Sequence, residues 1–313
     1  MSGSAEAAGA PARPEHPPGL KRRAALIVAL ASVYVFWGST APAIKVAVQT
    51  LPPWDMAALR FLIAGTILWL WARVRRDPLP TVREWRGATI TGTLLLTLGN
   101  GTFAWCLQYI PAGIGALFFA LTPLWNALIG VAFYRERLSP FAIAGIIVGF
   151  GGMAYLVSPS GAEHLPVFAV ALMIGSSIAW SVGQMIQRRY PATHFLQMSG
   201  MQMLIGAVEL ALFGALGGEQ LAAGQFTPAA TGALVFLVVF GSLVGFSAFL
   251  WLARNVGTVL ASTYSYVNPV VAIVLSVAFL HEALTWHTVL GAALILTGVA
   301  LMLVNSSRTG EAA

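Results

Sequence analysis

Residues 123–138 read PLWNALIGVAFYRERL, and residues 269–284 read PVVAIVLSVAFLHEAL. The second stretch follows the first by 146 residues, from 123 to 269, and the two align without a gap. They share an initial proline, a Val-Ala-Phe triplet, a glutamate and a final leucine. The proline pair is Pro123 and Pro269, and the glutamate pair is Glu136 and Glu282. This alignment indicates an internal repeat.

The same shift matches residues outside this block. The matched pairs are Trp105 with Trp251, Gly145 with Gly291, and Gly152 with Gly298. Chance identities are common among Ala, Val and Phe in apolar sequences, whereas a shared register of Trp, Gly, Pro and Glu is hard to obtain from composition alone. We therefore expect two units of similar structure.

The composition indicates a membrane protein. Of the 313 residues, 58% are hydrophobic and only 9% are charged, whereas soluble domains carry about 25% charged residues. In lipid, every backbone polar group must be satisfied within helices or a closed barrel. The long apolar runs lack the alternating polarity of barrel strands, so an all-α polytopic membrane protein is predicted.

A helix needs about 20 mostly apolar residues to cross a bilayer, and ten windows of the chain meet this requirement. The first five predicted spans are residues 24–48, 56–74, 87–107, 113–133 and 141–157. The last five are residues 166–186, 195–216, 229–252, 259–280 and 287–304. Residues 1–19, rich in Pro, Ala, Gly and Glu, are expected to form a disordered cytoplasmic tail, and residues 306–313 a second cytoplasmic tail.

The basic residues predict the orientation. Of the 17 Lys and Arg residues, 15 fall in segments on one side of the membrane. The other two, Lys45 and Arg60, lie within or at the edges of the first two spans. Cytoplasmic loops carry the excess of Lys and Arg, so both termini are predicted to be cytoplasmic in a bacterial inner (plasma) membrane. The formal charge of +6 thus reports topology and does not indicate nucleic-acid binding.

The repeat is predicted to be inverted. Each half, residues 20–158 and residues 159–305, contains five predicted spans, so the second half enters the membrane from the opposite side. Inverted repeats related by a pseudo-twofold axis in the membrane plane are a common way to build a carrier, because the halves can exchange conformations. The predicted fold is therefore ten transmembrane helices in two inverted five-helix repeats.

Several short motifs resemble the EamA family of the drug/metabolite transporter superfamily. They are Trp37-Gly38-Ser39, Ala58-Leu59-Arg60-Phe61, the block 123–138, and Tyr266-Val267-Asn268-Pro269 running to Glu282, with Trp180 similar to Trp37. The resemblance extends over both halves. It implies the ten-helix fold and a permease that exports amino acids, aromatic compounds, drugs or other small metabolites.

Aromatic and amide side chains deep in the predicted spans are the candidate substrate-binding residues. They are Trp37, Asn100, Trp125, Asn126, Trp180, Gln184, Tyr264, Tyr266 and Asn268. Aromatic rings and neutral polar groups suit a small ligand with an apolar body and a polar head. Packing against lipid or the helix core is the alternative for each tryptophan.

The repeated prolines and glutamates are candidate break and gating residues. Pro123 and Pro269 each remove a helical hydrogen bond, which either produces a structural kink or frees carbonyl groups to line a cavity. Glu136 and Glu282 follow their helices at opposite interfaces and are expected to act at helix ends or in gating.

Ionisable residues within a membrane are costly and suggest function. Lys45 and Arg60 either attract a carboxylate or extend toward the interface. Glu209, near the middle of the seventh span, either binds a coupling proton or pairs with a neighbouring polar group.

The inverted repeat favours a carrier. The chain has no GxxxxGK[ST] nucleotide-binding motif, so transport is expected to draw on a gradient, and it has no HExxH metalloprotease motif. We expect export of amino acids or similar metabolites by alternating access. A drug efflux carrier of the same fold and a solute channel remain as alternatives, and an enzyme is not expected. The expected partners are a small-molecule substrate and the lipid bilayer, with no nucleic acid, cofactor or metal, for a monomeric chain.

Overall fold

A computed structural model describes residues 20–135, 138–158, 165–190, 194–255 and 263–310. The described residues form helices and connecting turns and contain no strand. The first half comprises α1 (Leu20–Ser32), π1 (Val33–Trp37), α2 (Thr40–Ala47), α3 (Pro53–Val74), α4 (Val82–Gly92), π2 (Thr93–Gly101), α5 (Thr102–Cys106), α6 (Ala112–Ala120), α7 (Thr122–Tyr134) and α8 (Pro140–Leu156). The second half comprises α9 (Val167–Gln187), α10 (Phe195–Leu216), a 3₁₀ turn (Ala223–Gln225), α11 (Pro228–Phe236), π3 (Leu237–Val244), α12 (Gly245–Asn255), α13 (Tyr264–Leu280) and α14 (Trp286–Gly310).

Six helices of the described chain are long and apolar enough to cross a membrane. They are Ala24–Ala47, Pro53–Val74, Ala112–Phe133, Val167–Gln187, Phe195–Leu216 and Pro228–Phe249. Three further apolar helices are shorter: Pro140–Leu156, Tyr264–Leu280 and Trp286–Met302. These helices confirm a polytopic all-helical membrane protein. The predicted span 87–107 consists of α4, π2 and α5 in succession.

Local sequence signals explain several helix ends. The Ser139 hydroxyl accepts a hydrogen bond from the backbone N–H of Ala142 at the start of α8 (3.1 Å), and the Thr285 hydroxyl accepts one from Thr288 at the start of α14 (3.1 Å). Such caps satisfy N–H groups that have no partner within the helix. Residues 139 and 285 are 146 positions apart, which is the spacing of the sequence repeat.

Two helices end at the same spacing with the same unusual backbone conformation. Arg135 follows α7 with φ of 55°, and His281 follows α13 with φ of 54°. Left-handed conformations are uncommon outside glycine. Their occurrence at two residues 146 positions apart therefore indicates related local structure in the two halves.

The two prolines of the repeat occupy different positions in their helices. The helix is interrupted at Leu121, so that Pro123 lies in the first turn of α7, where its missing N–H has little cost. Pro269 lies inside α13. The expected helix break is therefore present near Pro123, two residues before the proline itself.

The principal packing contacts join one half of the chain to the other. They pair α3 with α10, α8 with α14, α6 with α13, and π2 with α9. The contact between α8 and α14 is backbone against backbone, since a Cβ atom on Gly298 would lie 2.6 Å from the carbonyl oxygen of Gly145. The most extensive helix contacts therefore lie between the halves, and the principal core cluster draws residues from both.

Candidate substrate cavity

Three π-helical segments supply polar and aromatic groups at the centre of the molecule. Trp37 ends π1, Asn100 lies near the end of π2, and Ser242 lies in π3. A π-helical turn inserts an extra residue and changes the direction of the side chains that follow. Such turns occur frequently at functional sites.

These segments surround a cavity of about 130 Å³. A cavity needs roughly 10–15 Å³ on the same measure to hold one water molecule, so this space accommodates a small organic molecule. Both halves contribute to its wall. The lining includes Trp37, Thr40, Arg60, Asn100, Phe103, Phe119, Thr122, Trp180, Met203, Ser242, Phe246, Tyr264, Ser265, Asn268 and Pro269.

Arg60 is the charged group among the described residues that line the cavity. Its side chain is only 4% exposed, so it does not extend to the interface. Its Nε donates to the Ser242 hydroxyl (2.9 Å) and its Nη1 donates to Asn100 Oδ1 (3.4 Å). Arg60 belongs to the first half and Ser242 to the second, so the guanidinium group bridges the halves.

Aromatic rings form much of the remaining wall. Trp37 donates from Nε1 to the carbonyl oxygen of Gly241 (3.0 Å), and its ring meets Tyr264 edge-on at 5.4 Å. Trp180 meets Phe119 edge-on at 5.7 Å. Edge-to-face pairs of this kind fix ring orientation, so the aromatic surface facing the cavity is preorganised.

Five of the nine predicted substrate-binding residues line the cavity: Trp37, Asn100, Trp180, Tyr264 and Asn268. Pro269, predicted as a break residue, also lines it. Two of the other four lie behind the wall in a polar chain, in which Asn126 Nδ2 donates to Gln184 Oε1 (3.4 Å) and Gln184 Nε2 donates to the Tyr264 hydroxyl (3.5 Å).

Three predicted residues lie outside the lining. Trp125 packs edge-on against Phe150 at 4.5 Å, Tyr266 packs against the hydrophobic core, and Pro123 begins α7. For Trp125 and Tyr266, the packing alternative describes the structure.

The other two predicted charged residues are also separate from the cavity lining. Lys45 donates from Nζ to the carbonyl oxygens of Leu107 (2.6 Å) and Ile110 (3.2 Å), just beyond the end of α5. Glu209 accepts hydrogen bonds from the hydroxyls of Thr93 (2.6 Å) and Thr97 (2.5 Å) in π2. The predicted polar pairing of Glu209 is therefore present.

Two carboxylates of the second half bind helix N-termini of the first half. Glu282 accepts hydrogen bonds from the backbone N–H groups of Ala112 (2.7 Å) and Gly113 (3.2 Å) at the start of α6. Glu219 accepts them from Trp54 (3.0 Å) and Asp55 (3.1 Å) at the start of α3. A carboxylate is favourable at the positive end of a helix dipole.

The two carboxylates that bind helix N-termini, Glu219 and Glu282, differ in their surroundings. Burial raises the pKa of the Glu219 carboxyl. Beside Glu282 is a small cavity that includes Ser276, whose buried hydroxyl oxygen has no hydrogen-bond partner. Glu136, the repeat counterpart of Glu282, lies outside the described residues.

Sequence reasoning missed several lining residues. Ser242 is a small polar residue in an apolar run, and this isolated polarity is a signal that identifies it in retrospect. Phe103, Phe119 and Phe246 are indistinguishable in sequence from lipid-facing or core phenylalanines. Their position became apparent only from the packing of the helices.

Comparison with known proteins identifies the family. The sequence profile of the EamA-like transporter family matches residues 23–158 and again residues 167–304. The chain belongs to the EamA-like transporter family. It is therefore an EamA permease of the drug/metabolite transporter superfamily, and the resemblance seen in the sequence motifs is confirmed.

Relatives of this EamA-like chain are transporters by name. The uncharacterized inner membrane transporter YedA of Escherichia coli K12 is 34% identical over 83% of this chain and 84% of its own length. The uncharacterized transporter YvbV of Bacillus subtilis 168 is 29% identical over 94% of this chain and 95% of its own length. Together with the apolar helices, these names agree with a membrane transporter of the EamA-like family.

A solved crystal structure shares the fold of this EamA-like chain. It superposes with a TM-score of 0.64 at 22% identity, covering 91% of this chain and 99% of the other. The agreement extends over almost the whole of both chains, so the helical arrangement around the cavity is part of a shared fold.

Proposed function

We propose that this chain is a secondary transporter that exports amino acids or similar small metabolites by alternating access. The observation that carries the proposal is the cavity between the two halves, with the buried Arg60 on its wall and aromatic rings around it. A cavity of this kind suits a small solute with a polar head and an apolar body.

The proposed architecture is ten spans arranged as two inverted five-helix repeats, with both termini cytoplasmic. The spacing of 146 residues between the capped helix starts at Ser139 and Thr285 supports it. The same spacing separates the left-handed residues Arg135 and His281. The family profile also matches the chain twice, once in each half.

Alternating access would proceed at the contacts between the halves. At one end of the contact between α6 and α13, the Glu282 carboxylate accepts a hydrogen bond from the N-terminus of α6. Pro269 of α13 lies on the cavity wall. Opening the cavity on the Glu282 side requires the carboxylate to leave the N-terminus of α6. In this proposal Glu282 is a gating residue.

Glu209 is the candidate for proton coupling. Its carboxylate lies in α10 and accepts two threonine hydroxyl groups of π2. Protonation would convert one carboxylate oxygen to a donor and weaken this pairing. The same segment, π2, contains Asn100, which lines the cavity. A change in the protonation of Glu209 would therefore act on a segment that forms part of the cavity wall.

Counterflow in proteoliposomes tests the proposed function. Vesicles containing the purified protein are preloaded with mixed amino acids, and single labelled amino acids are added outside, with and without a proton gradient. Saturable accumulation of a labelled compound is expected, and dependence on the gradient would support coupling.

The result also separates the alternatives. Flux that does not saturate and shows no counterflow would support a solute channel and contradict a carrier. Counterflow of drugs but of no amino acid would support the efflux alternative. Empty vesicles and vesicles with heat-denatured protein are the controls.

A further inference from the structure

Among the residues that the structure describes, the charge of Arg60 has no anionic partner. None of the described carboxylates forms an ion pair with it, although its side chain is 4% exposed. A buried cation within a membrane is costly unless a counter-charge or a polar cavity compensates it. Its hydrogen-bond partners, Ser242 and Asn100, are both neutral, and the ring of Phe61, whose centroid lies 5.0 Å from Cζ, is neutral as well.

The guanidinium group retains unused donors on the cavity side. A guanidinium has five N–H donors in a planar fork that matches a carboxylate, and the structure assigns one to Ser242 and one, at 3.4 Å, to Asn100. Next to the group lies Gly241, on which a Cβ atom would lie 3.1 Å from Nη2. The absence of a side chain there leaves room around the guanidinium.

A second unpaired group lies on the same cavity. Asn268 Oδ1 is buried without a hydrogen-bond partner, and Asn268 lines the cavity together with Arg60. Buried acceptors without partners are costly. A rotation of the Asn268 side chain would bring this oxygen to the cavity, where an ammonium or amide N–H of a bound solute would satisfy it.

From this arrangement we infer that Arg60 binds the carboxylate of the transported solute, and that the solute is a small zwitterionic or anionic monocarboxylate with an apolar body. The aromatic wall formed by Trp37, Trp180 and Tyr264 contacts that body, and Asn268 accepts a hydrogen bond from an ammonium group where one is present. The inference rests on the proposed function and specifies its substrate class. It disfavours cationic drugs, because Arg60 would repel them.

Paired analogues test the inference on the unaltered protein. Binding to protein in lipid nanodiscs is measured by calorimetry for L-phenylalanine against L-phenylalaninamide, L-leucine against L-leucinamide, and 3-phenylpropionate against phenethylamine. A charge-assisted hydrogen bond contributes about 1.5–3 kcal/mol. In each pair that shows binding, the carboxylate compound is therefore expected to bind about 10- to 150-fold more tightly than its partner.

Substitution of Arg60 identifies the responsible residue. Arg60→Gln is expected to abolish the preference for the carboxylate, and Arg60→Lys to retain part of it. Arg73→Gln is the matched control, because Arg73 lies at the other end of the same helix, against Trp69 and outside the cavity lining. This control is expected to bind all analogues as the unaltered protein does.

Several results would overturn the assignment. Equal binding of carboxylate and amide by the unaltered protein, or binding of none of the carboxylates, would contradict it, and neither result depends on the folding of a variant. An unchanged preference in a folded Arg60→Gln protein would show that Arg60 has only a structural role. Counterflow of uncharged or cationic solutes alone would remove the carboxylate assignment and leave the transporter intact. Absence of counterflow for every solute would instead contradict the proposed function.

Discussion

The contact between α8 and α14 gives a prediction whose size follows from the structure. A Cβ atom on Gly298 would lie 2.5 Å from the backbone nitrogen of Gly149 and 2.6 Å from the carbonyl oxygen of Gly145. Ordinary Cβ contacts begin at 3.4 Å, so relief of the first clash requires a displacement of about 0.9 Å (3.4 minus 2.5). Both obstructing atoms belong to backbone and cannot rotate away.

Gly298→Ala is therefore expected to destabilise the protein. Overpacking typically costs about 1–3 kcal/mol, although alanine regains up to about 1 kcal/mol of helix propensity over glycine. Gly151→Ala is the matched control, because Gly151 is exposed on α8 and its Cβ atom would meet nothing within 4 Å. The propensity gain is common to both changes, so the difference between the variants isolates the helix contact.

The assay is thermal unfolding in mild detergent. After each heating step, gel filtration measures the fraction of protein that remains monodisperse. Gly298→Ala is expected to lower the apparent melting temperature by several degrees, whereas Gly151→Ala leaves it unchanged or raises it. Equal melting temperatures for the two variants would refute the claim that backbone contact between α8 and α14 limits side-chain size at Gly298.

Three further predictions concern transport and stability. Trp180→Ala is expected to raise the KM of counterflow more than Tyr266→Ala does, since only Trp180 lines the cavity; similar KM values would contradict this cavity assignment. Glu209→Gln is expected to remove the dependence of transport on a proton gradient while counterflow persists, and undiminished gradient dependence would exclude Glu209 as the coupling group. Glu282→Gln is expected to lower the melting temperature more than Glu84→Gln, because Glu282 caps a helix of the other half, whereas Glu84 caps only its own helix at Thr81. Removal of a charge from a helix N-terminus costs about 0.3–1 kcal/mol when exposed and up to about 2 kcal/mol when partly buried. A smaller decrease in melting temperature for Glu282→Gln than for Glu84→Gln would argue against a stabilising contact between Glu282 and the N-terminus of α6.

The sequence was sufficient for the class of fold because hydrophobicity and charge determine it directly. Apolar runs of about 20 residues have few structural solutions in lipid. The EamA motifs around Trp37 and Arg60 then identified the family. By contrast, the π-helical segments π2 and π3 have no compositional signature, since a single inserted residue in a helical turn leaves hydrophobicity unchanged.

The site was only partly predictable for a related reason. The depth of a residue within its membrane span can be predicted from sequence, but the direction in which its side chain points depends on how the helices pack. Trp125 and Trp180 lie at similar depth in their spans, yet one packs against Phe150 and the other lines the cavity. The sequence is compatible with Arg60 at the interface or facing a carboxylate, and its burial against Ser242 is evident only from the contact between α3 and π3.

The pairing of Arg60 with Ser242 has a consequence for biosynthesis. The two residues are separated by 182 positions, and ribosomes add roughly 5–20 residues per second, so Arg60 is made about 10–40 s before its partner. Since α3, α6 and α8 all find their principal partners in the second half, the surfaces that they bury against it face lipid or other early helices during that interval. Completion of the nascent chain is then the step at which the contacts between the halves, and with them the site around Arg60, can form.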